Sequence, residues 1–129
     1  MKALAIIVLI LGLASIVMGI IFVLNANSAR DEVATSIAPV TLAELDAKYD
    51  AVKAQADAMR AQEEPGIQAQ TSMPSAMYNY LSIQRTSLAL ARSNVGTARL
   101  TMTLGYITAV IGIGLVVVSL GMMRKASAP

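Results

Sequence analysis

The sequence contains no cysteine, no histidine and no tryptophan. The lack of cysteine rules out disulfides, thiolate nucleophiles, thiolate metal sites and a lipid anchor on a cysteine. With histidine also missing, the usual haem and zinc ligands and the commonest general base at neutral pH are gone. No N-x-S/T glycosylation acceptor and no phosphate-binding glycine loop occurs, since Gly112-Ile113-Gly114 lies inside an apolar run and not between a strand and a helix. Charge is scarce, at 14% of residues, and aromatics amount to Phe22 and four tyrosines. All eight acids lie between Asp31 and Glu64. Outside residues 25–103 the charges are Lys2, Arg124 and Lys125, so the ends carry +3 and the middle −1. That is a membrane-topology pattern. Nucleic-acid binding calls for a clustered basic face with stacking aromatics, and neither is present.

What the chain has in quantity is apolar length: 56% of its 129 residues are hydrophobic. Residues 3–24 carry no charge, and Leu, Ile, Val and Phe fill fifteen of these positions. At a central position such residues favour insertion by about 0.3–0.6 kcal/mol each, roughly 5–9 kcal/mol for the run as an upper bound. At about 1.5 Å per residue the run covers the ~30 Å hydrocarbon layer. Residues 100–123 form a second uncharged run between Arg99 and the pair Arg124-Lys125. A cleaved signal peptide fits Lys2 and the apolar stretch, but signal-peptide cores run only about 7–15 residues, so an uncleaved anchor is expected. Two spans require both ends on one side of the membrane, and the positive-inside rule puts that side in the cytoplasm. Residues 26–103 are then extracytoplasmic and the protein is a two-pass protein of the cell membrane.

The expected organisation is a first transmembrane helix at 1–25, an outer helical segment at 26–103, a second transmembrane helix at 104–123 and a basic tail at 124–129. Within the outer segment, Pro39 bars continuation of the first helix. Thr41-Leu42-Ala43-Glu44 reads as a capping box opening a helix over about 42–64, which Pro65-Gly66 stops. Residues 65–74 read as a loop. A helix from 75 to about 103 then runs straight into the second span, with Gly96 as a soft point. Leu42, Leu45, Tyr49, Val52, Ala56 and Met59 recur at steps of three and four, a coiled-coil-like seam. Leu81, Leu88 and Val95 anchor a second seam. The fold class expected is all-α, with two transmembrane helices joined by an extramembrane antiparallel helical hairpin.

If one register holds throughout that hairpin, paired residue numbers sum to about 128. Glu44 then meets Arg85, and Asp31 or Glu32 meets Arg99. At a sum of 124, Gly12 meets Gly112 and Gly19 meets Gly105, with Ser15 and Ala109 beside them. Small residues let helices approach closely in lipid.

Chemistry is thin. Asp50, Asp57 and Glu64 repeat every seven residues, as do Arg85, Arg92 and Arg99, and each set reads as a solvated helix face. Asp46 and Asp50 lie one turn apart, but no loop supplies the further oxygens a divalent cation takes. Neither run contains an Asp, Glu, Lys, Arg or His, whereas ion and proton pathways normally mark themselves with one. No catalytic, cofactor-binding or metal-ligating residues are expected. The function expected is a non-enzymatic structural or accessory one, acting by helix–helix association. The partners are the lipid bilayer and either a second copy or another membrane protein, with no nucleic acid and no small-molecule substrate. The rival readings are an extracytoplasmic sensor or relay subunit lacking its own output domain, and an oligomeric, holin-like pore.

Overall fold

The computed structural model describes residues 2–127, and every regular element among them is helical. Helix α1 spans Lys2–Ser36, α2 spans Leu45–Gln68 and α3 spans Ala76–Ser127. Both α1 and α3 are long and apolar enough to cross a membrane. Met1, Ala128 and Pro129, which the sequence assigns to the first span and the basic tail, lie outside the described residues.

The helix ends follow from local chemistry. α1 runs well past the expected boundary at residue 25 because nothing before Pro39 interrupts it. It stops three residues short of that proline, which disfavours helical geometry at its predecessor and donates no N–H. The hydroxyls of Thr35 and Ser36 donate back to the carbonyls of Asp31 and Val33 at 2.9 and 2.8 Å, and the Val33 carbonyl also accepts the Ile37 amide at 3.1 Å.

At the start of α2, Glu44 Oε2 accepts both the Thr41 amide at 3.2 Å and the Thr41 hydroxyl at 2.8 Å. Only half of the expected capping box therefore forms. The hydroxyl is spent on the carboxylate and not on the Glu44 amide, and the α-helix begins at Leu45. α2 also continues through Pro65, where the loop was expected, to Gln68. Proline's φ is helical, and its ring removes only one donor near the helix end. The last turn closes by a pair of reverse bonds: Thr71 N–H to Gly66 O at 2.9 Å and Gln70 N–H to Ile67 O at 3.0 Å, with Gln70 at φ 57°. That left-handed position usually carries glycine. α3 opens on Ser75, whose hydroxyl accepts the Tyr78 amide at 3.0 Å. It runs through Gly96 without a break and takes in Arg124 and Lys125, cations in its last turn where the helix dipole favours them.

The chain divides into two compact units. Unit 1 comprises Met1–Arg30 with Thr97–Pro129, and unit 2 comprises Asp31–Gly96. In unit 2 the core is made by Val33, Ile37, Leu45, Val52, Ala56, Leu81, Leu88, Ala91 and Val95, with Val40, Leu42, Tyr49 and Met59 packed against it. All three helices thus contribute to that core. In unit 1 the buried side of each helix is made of the smallest residues.

Candidate functional site

In unit 1 the buried positions of α1 are Ala5, Gly12, Gly19 and Ala26, and those of α3 are Ala98, Gly105, Gly112 and Ser119. Both sets step by seven. A Cβ added at Gly12 would lie 2.9 Å from the Gly112 carbonyl oxygen, and one at Gly19 would lie 2.6 Å from the Gly105 carbonyl oxygen. The reciprocal distances, from Gly105 to Gly19 O and from Gly112 to Gly12 O, are 2.8 and 2.7 Å. At these levels backbone touches backbone, which only the absence of a side chain permits. Ala109 packs on Gly19, its nitrogen 2.7 Å from that added Cβ. Ser15 is half-buried. One level further on, the Ser119 hydroxyl donates to the Ala5 carbonyl at 2.8 Å. The pairs 5–119, 12–112 and 19–105 share the sum 124, the contacts rising along α1 as they fall along α3.

Sequence reasoning selected Gly12, Gly19, Gly105 and Gly112 but passed over Ala5, Ala26 and Ser119. The signal for these is the unbroken seven-residue step of small residues on each helix. The outer sides of both helices are apolar and exposed, Leu4, Ile10, Leu24, Val110 and Val117 among them.

In unit 2 the seam residues Leu42, Leu45, Tyr49, Val52, Met59, Leu81, Leu88 and Val95 all belong to the core or pack on it. Val33 and Ile37 were not anticipated there. Val33 continues the seven-residue step of α1 beyond Ala26, so its signal was also present.

The ion pairs correct the expected register. Arg85 Nη1 binds Asp57 Oδ1 at 2.7 Å, not Glu44, whose carboxylate is held by Thr41. Arg92 Nε binds Asp46 Oδ1 at 2.8 Å, and the Arg92 guanidinium lies 5.3 Å from the centre of the Tyr49 ring. Glu63 accepts both the amide and the hydroxyl of Ser75, at 2.8 and 2.6 Å. In unit 2 the α2–α3 pairs therefore sum to 138–142 and not 128. The reason is that α1 ends at Ser36. Residues 37–44 turn, and α2 begins a fresh helix whose phase on α3 is independent of the glycine contacts. Asp31 and Glu32 belong to unit 2 and Arg99 to unit 1, and the ion pairs seen among the described residues involve none of them.

The stripe Arg85–Arg92–Arg99 was read as a solvated face, yet its first two members bind carboxylates of α2. These pairs are largely exposed, so each contributes at most about 1 kcal/mol and serves alignment more than stability. Within α2, Arg60 and Glu64 form an i,i+4 pair at 3.8 Å, while Asp57 pairs across to Arg85. The Ser75 hydroxyl, then the Ser75 amide, hold Glu63 below its ordinary carboxylate pKa, and the Thr41 hydroxyl and amide do the same for Glu44. Hydrogen bonding to Tyr78, then charge, raises Arg60.

A cleft of about 270 Å³ is lined by Ala56, Arg60, Ser82, Arg85 and Thr86. Its two guanidiniums face an anion in principle, but Asp57 and Glu64 already balance them. Among the described residues no group of three or more acidic or imidazole side chains gathers to hold a metal ion. What the molecule presents is packing surface: a small-residue ladder in unit 1 and a large-residue seam in unit 2. Compared with protein-family models, with curated proteins and with solved structures, the chain matches none.

Proposed function

We propose that this chain is a two-pass membrane protein that serves a non-enzymatic, structural or accessory role by helix–helix association. The observation that carries the reading is the pairing of two uncharged helical runs, residues 3–24 and 100–123, at backbone contact through Gly12–Gly112 and Gly19–Gly105, with large apolar side chains turned outward. In water the outward side chains would drive aggregation. In lipid they are solvated, and small facing residues are the standard way for helices to pack there. Only 11% of the most apolar window of either helix is buried within the chain, so neither resembles the core helix of a water-soluble protein.

On this reading unit 2 is an antiparallel hairpin of coiled-coil type, standing in water and capped by the end of α1. Lys2 on one span and Arg124 and Lys125 on the other place both termini in the cytoplasm and residues 26–103 outside. A core this small is thinly stabilised by itself, which favours self-association or a membrane-protein partner.

The test is extraction of native membranes at alkaline pH, followed by mass measurement in lipid discs. Retention in the membrane and a mass above one copy support the reading. Release into the aqueous phase defeats the two spans, and a strict monomer at high protein concentration defeats self-association. Labelling of Gln68→Cys from outside intact cells tests orientation, and protection there reverses it.

A sensor or relay reading is favoured by one observation, the unbroken run of α3 from Ala76 to Ser127. It predicts that a ligand or partner on the outer segment changes the labelling of cysteines placed near Arg124, and unchanged labelling removes it.

A further inference from the structure

Within unit 1 one row of packed side chains ends on a charge. Ile16 and Val23 each stand four residues past a seam glycine of α1, and each packs on the glycine of α3 that faces it. Ile16 Cγ1 lies 2.8 Å from a Cβ added at Gly112, and Val23 Cγ2 lies 2.9 Å from one added at Gly105. Arg30 is next in this row, opposite Ala98, which is buried. The Arg30 side chain is half-buried, and its Nε is enclosed with no acceptor. A charged group with a buried, unpaired donor is costly and calls for an explanation.

Arg99 lies on the same flank of the pair. Val116, four residues past Gly112, packs on Gly12 as Ile16 packs on Gly112, so positions shortly past the seam fall on one side of both helices. Arg30 is four past Ala26, and Arg99 is one past Ala98. In the register of 124, Arg99 is level with Asn25, about 7.5 Å along the axis from Arg30. Helical side chains lean toward their own N-terminus. The helices are antiparallel, so Arg30 leans toward the apolar run, Arg99 leans away from it, and the two converge. Among the described residues neither arginine is in an ion pair, whereas Arg60, Arg85 and Arg92 each hold a carboxylate. Asp31 and Glu32, the next residues of α1, pair with neither.

We propose that Arg30 and Arg99 together hold the phosphate of an anionic phospholipid, in the leaflet on the side of residues 26–103. The proposal rests on the membrane reading above and names the lipid class and the residues that bind it. A guanidinium grips two phosphate oxygens at once through paired N–H groups. Turning the end of the Arg30 side chain outward gives its enclosed Nε–H such an acceptor. Depth selects the source of the phosphate. The apolar runs cover the ~30 Å hydrocarbon layer, and the headgroups add about 5–7 Å on each side. Arg99 is the first residue beyond the run 100–123, and Arg30, about 9 Å beyond Leu24, leans back toward its own run. Both guanidiniums therefore reach the headgroup layer, where basic groups between membrane helices take anionic headgroups. A zwitterionic headgroup brings a cation of its own, which two arginines repel.

The test is native mass spectrometry of the full chain in mild detergent, titrated with phosphatidylglycerol, phosphatidylcholine or inorganic phosphate. Preferential retention of phosphatidylglycerol is expected, weakened about tenfold in Arg30→Gln and likewise in Arg99→Gln, the scale of one charge-assisted bond. Arg99 is exposed, so its replacement leaves the packing intact, and helix content by circular dichroism checks both variants. Arg60→Gln removes the same charge from α2 and is expected to bind as the parent does. Equal retention of the two lipids, or full retention in either variant at Arg30 or Arg99, overturns the site. Equal affinity for inorganic phosphate overturns the lipid in favour of a free anion. Loss in Arg124→Gln alone places the lipid at the other end of α3 and overturns the assignment. An adduct of protein mass in place of lipid overturns it in favour of a partner's carboxylate. All these failures leave the two spans standing, whereas release of the protein from membranes at alkaline pH overturns the membrane reading and this proposal together.

Discussion

The two units solve the same packing problem with opposite materials. In unit 1, α1 and α3 meet through Ala5, Gly12, Gly19, Gly105, Gly112 and Ser119, while the large side chains point away. In unit 2 the large side chains point inward, and Leu45, Val52, Leu81 and Leu88 make the core. On the membrane reading proposed above, the difference follows from the solvent. Where water surrounds the helices, burying Leu and Val removes apolar area from it, at roughly 25 cal/mol per Å². Where lipid surrounds them that gain vanishes, because a tail solvates Leu as well as another helix does. Close backbone approach, dispersion and a few hydrogen bonds are what remain.

The same comparison says how each unit should fail. Unit 2 breaks by losing volume: Leu88→Ala, at a core position 6% exposed, is expected to cost about 2–5 kcal/mol in reversible unfolding from mild detergent. A cost near zero would remove the contrast in packing. Unit 1 breaks by gaining volume. At Gly19 an added Cβ lies 2.6 Å from the Gly105 carbonyl and 2.7 Å from the Ala109 nitrogen, both backbone atoms that cannot step aside. Gly19→Ala is therefore expected to cost about 1–3 kcal/mol in the same measurement. Gly114→Ala, whose Cβ meets nothing within 4 Å, is the control and should show no destabilisation.

Three smaller effects sharpen the comparison. Gly96→Ala places a Cβ in open space within a helix and should stabilise by about 1 kcal/mol. Ser119→Ala removes the bond to the Ala5 carbonyl and should cost only about 0.6 kcal/mol, the usual scale of an interhelical hydrogen bond in lipid.

The smallest effect is a pH dependence in unit 2. The Ser75 hydroxyl, then its amide, lower the pKa of Glu63, so its contribution is fully present above the unfolded value of about 4.3 and is lost as pH falls through the lower folded value. Glu63→Gln should flatten that acid limb of the stability curve. An unchanged limb in the variant would assign the dependence to another group, with Glu44 the first to examine.

Much of unit 1 was legible because its information is local and periodic. A charge-free run declares a long apolar helix, and a small residue every seventh position marks the side along which another helix can approach. With Gly12, Gly19, Gly105 and Gly112 in view, the sum of 124 follows from arithmetic on two helices. The α3 seam of unit 2 was equally legible, since Leu81, Leu88 and Val95 repeat at one heptad position. What is missed nearby, Ala26 and Val33, obeys the same period but lies past residue 25, the expected end of the first span.

The helix ends and cross-links of unit 2 were not legible. Pro65 was read as a stop, yet proline fits a last turn when later amides close it, and that closure depends on Gln70 taking a left-handed conformation uncommon for its type. Arg85 chose Asp57, 28 residues away, over Glu44. Nothing in either residue encodes that choice. Each residue added to or removed from the turn at 37–44 rotates α2 by about 100° and slides it about 1.5 Å, enough to exchange one carboxylate for another. Glu63 reached Ser75 for the same reason. The sequence by itself determined which stretches are helical, which are apolar enough for lipid and which side of each helix is small or large, because these are properties of one helix and its nearest turns. Only the tertiary structure decided where α1 gives way to α2 and how α2 is phased on α3, because lateral contacts between helices depend on the turns that set their starting points.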